Sequence, residues 1–362
     1  MLLLAFLAHP VFAQETFYVS SLDNTINETS GIINLNNHFI TFNDSGGENK
    51  LYEFDVDTGN ILREVEIVNA RNTDWEALTF DDEHIYIGDI GNNLGNRTDL
   101  KIYKVKIEDF FDESLNNRIT AQVININFLD QIDYESQRFY TNFDSEAFVA
   151  LDNHLFLFTK NWGDEKSTIY KVPKSPGFVN MINLGTIDVD GLITDATLNK
   201  DNNLIVLCGY TPNSNFIIEM DFNFFDGNFS FEIFRHDIEI PSQASDQIEG
   251  IAYFANNEYY LTSEKSFGRE AALLTHSINY SLSDILNENI DTEIVTFPNP
   301  VNNNLNVLTN HFKTIEIYDL NGSLIFKSNI QSNNLEHLEK GNYIAIITKE
   351  NNDFEQIKIV KN

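Results

Sequence analysis

Cysteine is almost absent from this 362-residue chain, since Cys208 is the only one. A single thiol excludes an intramolecular disulfide framework. Without a Cys pair or a His-Glu-x-x-His motif, a zinc site is not expected either. Cys208 ends the apolar run Leu204–Cys208, where it is most simply a small buried hydrophobe on a strand.

Basic residues are scarce as well. The chain has 23 Lys and Arg against 55 Asp and Glu, which gives a net charge of −32. Residues 297–362 contain six Lys and seven acidic residues, so nearly all of the excess lies before them. A surface of this charge repels nucleic acid polymers and anionic lipid, and we expect neither as a partner.

Long hydrophobic runs are also missing. No stretch reaches the about 18 apolar residues of a membrane helix, so no transmembrane segment is predicted. The apolar start Met1–Leu7, with the small residues Val11 and Ala13 placed before Gln14, predicts a signal peptide at residues 1–13. The alternative is a buried first strand. The chain lacks a Ser-His-Asp motif, a P-loop, a dinucleotide fingerprint and an EF-hand loop.

Residues typical of strands and tight turns are abundant. The chain contains 29 Phe and 14 Tyr, both of which favour strands. Asn and Asp, which favour turns, are frequent too. Strong helical periodicity is scarce, so the composition predicts a mostly β fold.

One pattern recurs five times: a polar or acidic residue just ahead of a short apolar run. Recurrence at this spacing signals a repeat architecture. If each segment begins the innermost strand of a propeller blade, five side chains converge on one axis. Four of them are carboxylates, which need a cation or a proton when crowded together. We therefore predict a metal site whose ligands are Ser30, Glu76, Glu146, Asp195 and Glu249.

Each repeat can be read as four strands, but the last one is a strand short. The segment Thr16–Ser20 is a natural donor for the missing strand, which would close the ring and remove its open edges. We predict an all-β fold: a five-bladed β-propeller at residues 14–280 closed by the N-terminal strand, a linker at 281–296, and a small β-sandwich at 297–362. The 70-residue gap between Glu76 and Glu146 leaves a sixth blade open, although Asp109–Asn117 fits a loop or short helix better.

The C-terminal segment carries a specific set of motifs in a fixed order. These are Phe297-Pro298-Asn299-Pro300, Ile315–Gly322, Leu338–Tyr343 and the terminal Ile357–Lys361. In order, spacing and position they resemble the type A sorting domain of the type IX secretion system in Bacteroidetes. The resemblance implies contact with that secretion machinery and passage from the periplasm across the outer membrane. Release into the medium or attachment at the cell surface would follow. The alternative is an independent sandwich that binds a ligand.

The propeller region resembles the calcium-activated nucleotidases (apyrases), a five-bladed family with Ca²⁺ in its central tunnel. The tunnel ligands of that family run Ser, Glu, Glu, Ser, Glu through the blades. Ser30, Glu76, Glu146 and Glu249 fall in matching positions, whereas Asp195 replaces a serine unless Thr194 is the counterpart. The resemblance implies Ca²⁺, whose flexible oxygen coordination suits such a ring. The alternative is that these carboxylates cap backbone N–H groups of adjacent blades or hold water.

Loops between the second and third strands should surround the same mouth as the acidic ring. They bring Asp44 and Asp89, candidates for a general base that positions water. Cations beside a metal suit phosphoryl substrates because they offset charge on the transferring group. The candidate substrate-binding residues around the mouth are Arg71, Arg97, Arg138, Lys160, Trp162, Lys265 and Arg269. For any one cation an ordinary surface ion pair is the simpler explanation, and Trp162 fits a packed loop anchor equally well.

The sequence thus favours a secreted, calcium-binding, monomeric propeller whose mouth takes an anionic small molecule, with hydrolysis of a phosphoester or phosphoanhydride as the enzyme hypothesis. Two other hypotheses stay open. One is a non-catalytic surface module that binds glycan or protein. The other is a glycan-cleaving propeller, which needs two opposed carboxylates among Asp44, Asp89 and Asp164.

Overall fold

The computed structural model describes residues 15–136, 138–225, 228–245, 247–266, 268–278, 295–297, 299–309, 312–320, 322–349 and 354–362. The predicted signal peptide and positions 281–294 of the predicted linker lie outside these residues. The chain divides into two compact units, one of which spans residues 14–277. No described helix is long and apolar enough to cross a membrane.

The larger unit consists of β-sheets whose strands follow one another along the chain. It starts with β1 (Glu15–Ser21). The first group after it is β2 (Thr29–Leu35), β3 (His38–Asn43), β4 (Lys50–Phe54) and β5 (Ile61–Ile67). The second group, which contains the helix α1, is β6 (Trp75–Phe80), β7 (His84–Asp89), β8 (Lys101–Lys106), α1 (Ile107–Phe111), β9 (Arg118–Ile119) and β10 (Gln122–Phe128).

The later groups repeat the same order. The third is β11 (Ser145–Leu151), β12 (His154–Thr159), β13 (Ser167–Pro173) and β14 (Gly177–Ile187). The fourth is β15 (Leu192–Asn199), β16 (Leu204–Tyr210), β17 (Asn215–Phe225) and β18 (Asn228–Ile238). The last is β19 (Ile248–Ala255), β20 (Glu258–Ser263) and β21 (Ala272–Ser277).

Strand β1 completes the last group, as the sequence predicted. It pairs antiparallel with β21, from Glu15 opposite Ser277 to Ser21 opposite Ala272. The sheet order becomes β1-β21-β20-β19, so the two ends of the unit are joined by backbone hydrogen bonds. Such closure covers an edge that would otherwise be open to pairing.

The first strands of the groups lie side by side around the middle of the unit. Strand β2 contacts β6, β6 contacts β11, β11 contacts β15, β15 contacts β19, and β19 returns to β2. Sheets arranged in this way around a common centre form a β-propeller. Hydrophobic clusters fill the gaps between neighbouring sheets, for example the cluster of Phe42, Trp75 and Ile87 between the first two groups.

The long interval before Glu146 extends existing sheets. Strand β9 pairs in parallel with β5, and β10 pairs in parallel with β14, which joins the second and third groups into one eight-stranded sheet. Apart from Gln137, every residue of this interval is described, and none of it forms a further four-stranded sheet. Helix α1 at Ile107–Phe111 overlaps the predicted loop or short helix.

Asparagine pairs explain two of the tight hairpins. Asn36 and Asn37 between β2 and β3 have φ of 54° and 69°, and Asn256 and Asn257 between β19 and β20 have φ of 51° and 62°. Two-residue hairpins whose twist matches the strands require φ above zero at both central positions, and Asn tolerates it. The abundance of Asn therefore has a local structural cause.

The described residues of the smaller unit form two sheets around a common core. One sheet contains β22 (Val295–Phe297), β23 (Asn304–Leu308) and β26 (Ser332–Asn334). The other contains, in chain order, β24 (Phe312–Tyr318), β25 (Leu324–Ser328), β27 (Gly341–Lys349) and β28 (Phe354–Lys361). Leu305, Val307, Ile317 and Ile347 are buried together between them, which is the arrangement of a β-sandwich.

Candidate functional site

A β-bulge near the start of each first strand aims one side chain out of the regular alternation. In β6, Trp75 pairs with Asp89 and Ala77 with Gly88, so Glu76 is the extra residue. Bulges are a common means of re-aiming a side chain at a site. The corresponding extra residues in the later first strands are Glu146, Thr194 and Glu249, and Ser30 lies in the irregular stretch of β2.

The bulge places Thr194, and not Asp195, at the position equivalent to the three glutamates. Thr194 Oγ1 donates to the backbone oxygen of Ile248 at 2.8 Å, as Ser30 Oγ donates to that of Glu76 at 3.0 Å. Both hydroxyls therefore link a first strand to the next one. The pattern of bulged residues reads Ser, Glu, Glu, Thr, Glu.

The Asp195 carboxylate accepts hydrogen bonds from the backbone of neighbouring strands. Its Oδ2 accepts a hydrogen bond from Ile251 N at 2.9 Å and a longer one from Ile32 N at 3.4 Å, so it ties β15 to β19 and β2. The side chain is fully buried, and burial raises its pKa well above the ordinary value. Within the part of the chain that is described, Oδ1 has no hydrogen-bond partner. This geometry agrees with the alternative of backbone capping for this one member of the predicted ring.

Lys160 provides a protein cation inside the acidic ring. Its side chain is buried, and Nζ lies 3.0 Å from Glu146 Oε2. The ammonium also lies over the rings of Trp162 and Tyr210, at 5.1 and 5.2 Å from their centroids. The Glu146 and Glu249 carboxylates, despite burial, hold the pKa of Lys160 well above its ordinary value, so this side chain stays charged. Lys160 was expected at the rim of the mouth, and the structure places it among the carboxylates.

Three carboxylates from two neighbouring groups of strands lie close together. One oxygen from each of Asp44, Asp74 and Glu76 lies within 4.8 Å of the other two. Gly91 makes this approach feasible: a Cβ added there would lie 2.5 Å from Asp74 Oδ2 and still closer to Glu76 Oε1. We call Asp44, Asp74 and Glu76 the carboxylate trio. All its donors are oxygens, as a hard divalent cation prefers.

Burial and mutual repulsion raise the proton affinity of this region. Burial, followed by the charges of Asp44 and Asp144, raises the pKa of Asp74 to about 7. Burial raises the pKa of Glu249 to about 7 against the opposing effect of Lys160. The pKa of Glu76 is raised well above its ordinary value, first by burial and then by Glu146. One lysine does not balance this many carboxylates, so the remainder require protons or a further cation.

Asp89, a candidate general base, is occupied by an ion pair. Its Oδ1 accepts from Arg97 Nη2 at 2.8 Å and from Asp74 N at 3.1 Å, and the side chain is fully buried. Arg97 also donates to Asp99 Oδ1 and to the Gly91 oxygen. The pair fixes the loop that carries Gly91, so Asp89 and Arg97 position the trio.

Asp144 holds two of the mouth loops together. Its Oδ2 accepts from Trp162 Nε1 at 2.8 Å, and its Oδ1 accepts from Asn92 N at 2.5 Å. The Trp162 ring also packs on Phe139, with ring centroids 4.6 Å apart. Trp162 is therefore a loop anchor here, which is the alternative that the sequence left open.

A cavity of 310 Å³ opens next to the trio and shares Asp74 with it. Its wall includes Asn93, Arg97, Arg138 and Phe139. Arg138 is exposed, and its guanidinium lies 4.9 Å from the centroid of the Phe139 ring. Two of the predicted substrate-binding cations thus meet at one cavity.

The other predicted binding cations lie elsewhere on the mouth loops. Arg71 is exposed, and its backbone oxygen accepts from Trp75 Nε1 at 3.1 Å. Lys265 pairs with Glu270 at 2.8 Å, and Arg269 is half-buried and bridges to Ser266 through the backbone.

Asp74 and Asp144 were not predicted as site residues, although the sequence carries a signal for both. Each precedes a ring glutamate by two positions, in Asp74-Trp75-Glu76 and Asp144-Ser145-Glu146. Residues two apart in a strand share a face, and the bulge then changes where the glutamate points. A repeated Asp-x-Glu at the start of a first strand is the pattern that would have found them.

The smaller unit is identified by its sequence. Residues 295–362 match the family described as the secretion system C-terminal sorting domain. This segment is a type IX sorting domain. The match begins two residues before the predicted boundary, at the first residue of β22. The sorting domain indicates interaction with the type IX secretion machinery, export, and secretion or surface attachment in Bacteroidetes.

A search of curated proteins finds no match to this chain. Among solved structures, the chain is similar to a quinonprotein alcohol dehydrogenase-like protein from Bacteroides thetaiotaomicron, with 11% identity, coverage of 94% of this chain and 68% of that one, and a TM-score of 0.35. A member of the DUF4221 family from Bacteroides vulgatus shares 8% identity over 75% of this chain and 98% of its own, with a TM-score of 0.33. BamB from Moraxella catarrhalis shares 13% identity over 91% and 83%, with a TM-score of 0.24.

Proposed function

We propose that this secreted propeller binds Ca²⁺ at the carboxylate trio and hydrolyses a phosphoester or phosphoanhydride at its mouth. The observation that carries the proposal is the convergence of three oxygens within 4.8 Å beside a cavity that also presents Arg138. A divalent cation and a guanidinium together offset the charge of a phosphoryl group. The sequence placed the metal among five ring residues, and the proposal now rests on Glu76 of that set together with Asp44 and Asp74.

The chemistry of the trio fits calcium. All donors are carboxylate oxygens, and Ca²⁺ accepts them with waters in flexible geometry. Gly91 leaves the space that the carboxylates need to approach one another. When bound, the ion would act as a Lewis acid toward the phosphoryl oxygens. Glu146 is paired with Lys160 and Asp195 with backbone N–H groups, so these two are not proposed as ligands.

The protein residues supply the remaining parts of a hydrolysis. Asp44 is the proposed acceptor for the proton of the attacking water, through a lone pair that it does not give to the ion, and burial raises its pKa above the ordinary value. A carboxylate has about four lone-pair sites, so Asp44 can accept from Ser45 N–H and still serve the site. The water oxygen bonds to phosphorus, the bond from phosphorus to the leaving oxygen breaks, and that oxygen takes up a proton. Asp89 holds Arg97 in place and is not proposed as the base.

We infer that the sheets of residues 14–277 are five blades. The cyclic contacts among β2, β6, β11, β15 and β19 support this count, as does the closure by β1. Because the mouth loops are carried by separate blades, a rigid ring holds their side chains in fixed relation. Asp44, Lys160 and Glu264 follow the second strands of three groups, yet the charge of Lys160 acts on both carboxylates.

A second candidate function is binding of a glycan or a protein without catalysis. One observation favours it: the loop that borders the cavity exposes several apolar side chains, namely Leu129, Ile132, Tyr134, Phe139 and Tyr140. Exposed apolar groups of this kind mark interaction sites. Glycan cleavage is less favoured, because Asp89, one of the three carboxylates it would draw on, is buried and paired.

Elemental analysis of the purified full chain, followed by a phosphate-release assay, tests the proposal. We expect bound calcium, phosphate release from at least one phosphoester or phosphoanhydride, and loss of release with EDTA. Glu76→Gln should lower calcium content and activity together, and the exposed Glu258→Gln is the matched control. Full turnover in EDTA, or no turnover of any phosphoester or phosphoanhydride tested, would contradict the proposed hydrolase activity.

A further inference from the structure

The cavity beside the trio has a lining that selects among phosphorylated compounds. Its wall contains the carboxyl group of Asp74, the amides of Asn93 and Asn96, the guanidinium of Arg138, and the Phe139 ring. At 310 Å³ it lies at the lower end of the range for small-molecule pockets, about 300–1,000 Å³. This size suits a monosaccharide with one phosphoryl group.

The Phe139 ring packs between Trp162 and the Arg138 guanidinium, and the residue remains 44% exposed. It contacts Trp162 at 4.6 Å between centroids and the Arg138 guanidinium at 4.9 Å. Its backbone has φ of 60°, a conformation that costs free energy for a bulky residue and persists where the surroundings enforce it. Here the backbone N–H of Phe139 donates to the backbone oxygen of Asn93 at 3.2 Å. The strained residue therefore fixes a cation at the cavity rim.

The amides supply the groups that a sugar needs. Asn93 lines the cavity and brings an amide side chain to its wall. Asn96 is exposed at the same cavity. Carboxamides both donate and accept, as hydroxyl groups do, so a polyol can satisfy them with several hydrogen bonds.

The charges of the wall explain why an anion would enter only with a metal. Arg97 is already offset by Asp89 and Asp99, at 2.8 and 3.1 Å. Arg138 has no ion pair within the described part of the chain, but Asp74, when ionised, repels an anion in the same cavity. A cation on the trio would cancel that repulsion.

We propose that the cavity binds a phosphorylated monosaccharide, with its hydroxyls on Asn93 and Asn96 and its phosphoryl group between Arg138 and the trio. The inference rests on the proposed function, whose substrate class it specifies. In the reaction the phosphorus–oxygen bond to the sugar breaks, water oxygen bonds to phosphorus, and the sugar oxygen takes up a proton, which yields free sugar and inorganic phosphate.

The test compares glucose 6-phosphate with p-nitrophenyl phosphate and UDP, using the full chain with calcium. Asn93→Leu removes the side-chain amide at similar volume. We expect it to raise KM about tenfold for glucose 6-phosphate, as for one lost hydrogen bond of ordinary strength, and to leave KM for p-nitrophenyl phosphate unchanged. Arg118→Gln, on β9 away from the cavity, is the control. Equal effects on both substrates, or a preference for UDP, would overturn the inference and leave the hydrolase standing.

A calorimetric titration with glucose 6-phosphate separates the two proposals. Calcium-dependent binding that Asn93→Leu weakens would support the cavity assignment even if no substrate is cleaved, in which case the hydrolase falls alone. Cleavage of p-nitrophenyl phosphate without any binding of glucose 6-phosphate would reject the cavity assignment. Circular dichroism and the melting temperature of each variant establish that it is folded.

Discussion

At the residue scale, the acidic ring is balanced partly by a side chain of the protein itself. Lys160 follows β12, packs against Trp162 and Tyr210, and pairs with Glu146. A buried pair of this kind is weak evidence for stability as such, because desolvation opposes the attraction. Removal of one partner is a different matter, since a buried charge is then left uncompensated.

Lys160→Met should therefore destabilise the chain by several kcal/mol, in the range of about 3–5 kcal/mol for a broken buried pair. We expect the loss to be largest in EDTA and smaller in calcium, because a divalent ion can take over part of the missing charge. Urea unfolding with and without calcium measures both values. Lys106→Met, which removes the cation of an exposed pair with Glu108, is the control and should change little. Equal losses in calcium and EDTA would count against a cation near Lys160.

Glu249 gives a pH dependence of defined sign. Burial raises its pKa from the ordinary 4.5 to about 7, so the folded state binds its proton more tightly than the unfolded state does. The contribution of Glu249 to the free energy of unfolding is fully present below pH 4.5, and it is lost as the pH rises to about 7. In EDTA, Glu249→Gln should flatten the fall of the unfolding free energy over this window relative to the parent chain. An unchanged slope would show that Glu249 does not titrate in the folded state as described.

At the element scale, bulges and loops determine which side chains meet. The bulge in each first strand turns one residue inward, and the loops after β3, β7 and β12 bring Asp44, Gly91 and Lys160 to the same mouth. The ring brings together residues at equivalent positions in the first strands, such as Glu76. The loops differ in length, so each loop places its own residues, such as Asp44. The trio combines both kinds.

Gly91→Ala tests the loop after β7. Its Cβ would collide with the Glu76 and Asp74 carboxylates, so we expect calcium affinity to fall at least tenfold while the fold is kept. The backbone of Gly91 is not in the left-handed region, so alanine is tolerated there on conformational grounds. Gly341→Ala, where the nearest atom outside the chain neighbours is Tyr343 Cε2 at 3.9 Å, is the matched control. Unchanged calcium affinity in Gly91→Ala would remove the trio from the metal site.

At the scale of the whole molecule, two compact units have separate tasks. The sorting domain carries the address, and residues 14–277 carry the candidate chemistry. The negative charge is concentrated before residue 297, in the same part of the chain as the propeller. Such a charge keeps a protein dispersed in solution and repels other anions, so an anionic substrate needs the local cations described above.

Deletion of residues 295–362 should abolish export across the outer membrane without loss of the propeller, because the propeller has its own core and is closed by β1. Fractionation of a Bacteroidetes host should find the shortened chain in the periplasm and the full chain at the surface or in the medium. Normal amounts of the shortened chain in the medium would show that another signal directs export.

The sequence alone determined the β class, the repeat, the closing strand and the sorting domain. Each depends on local information: strand-forming residues, Asn-rich turns, a pattern at fixed spacing, and contiguous motifs. It also indicated that Glu76, Glu146 and Glu249 hold equivalent positions in the repeat, while their role as metal ligands stays a prediction. Only the tertiary structure decided that Thr194 takes the place expected for Asp195, that Lys160 lies inside the ring, and that Asp74 joins Asp44 and Glu76. A one-residue bulge changes the face of the sheet toward which the following side chains point. Loops from different blades meet only after the ring has closed.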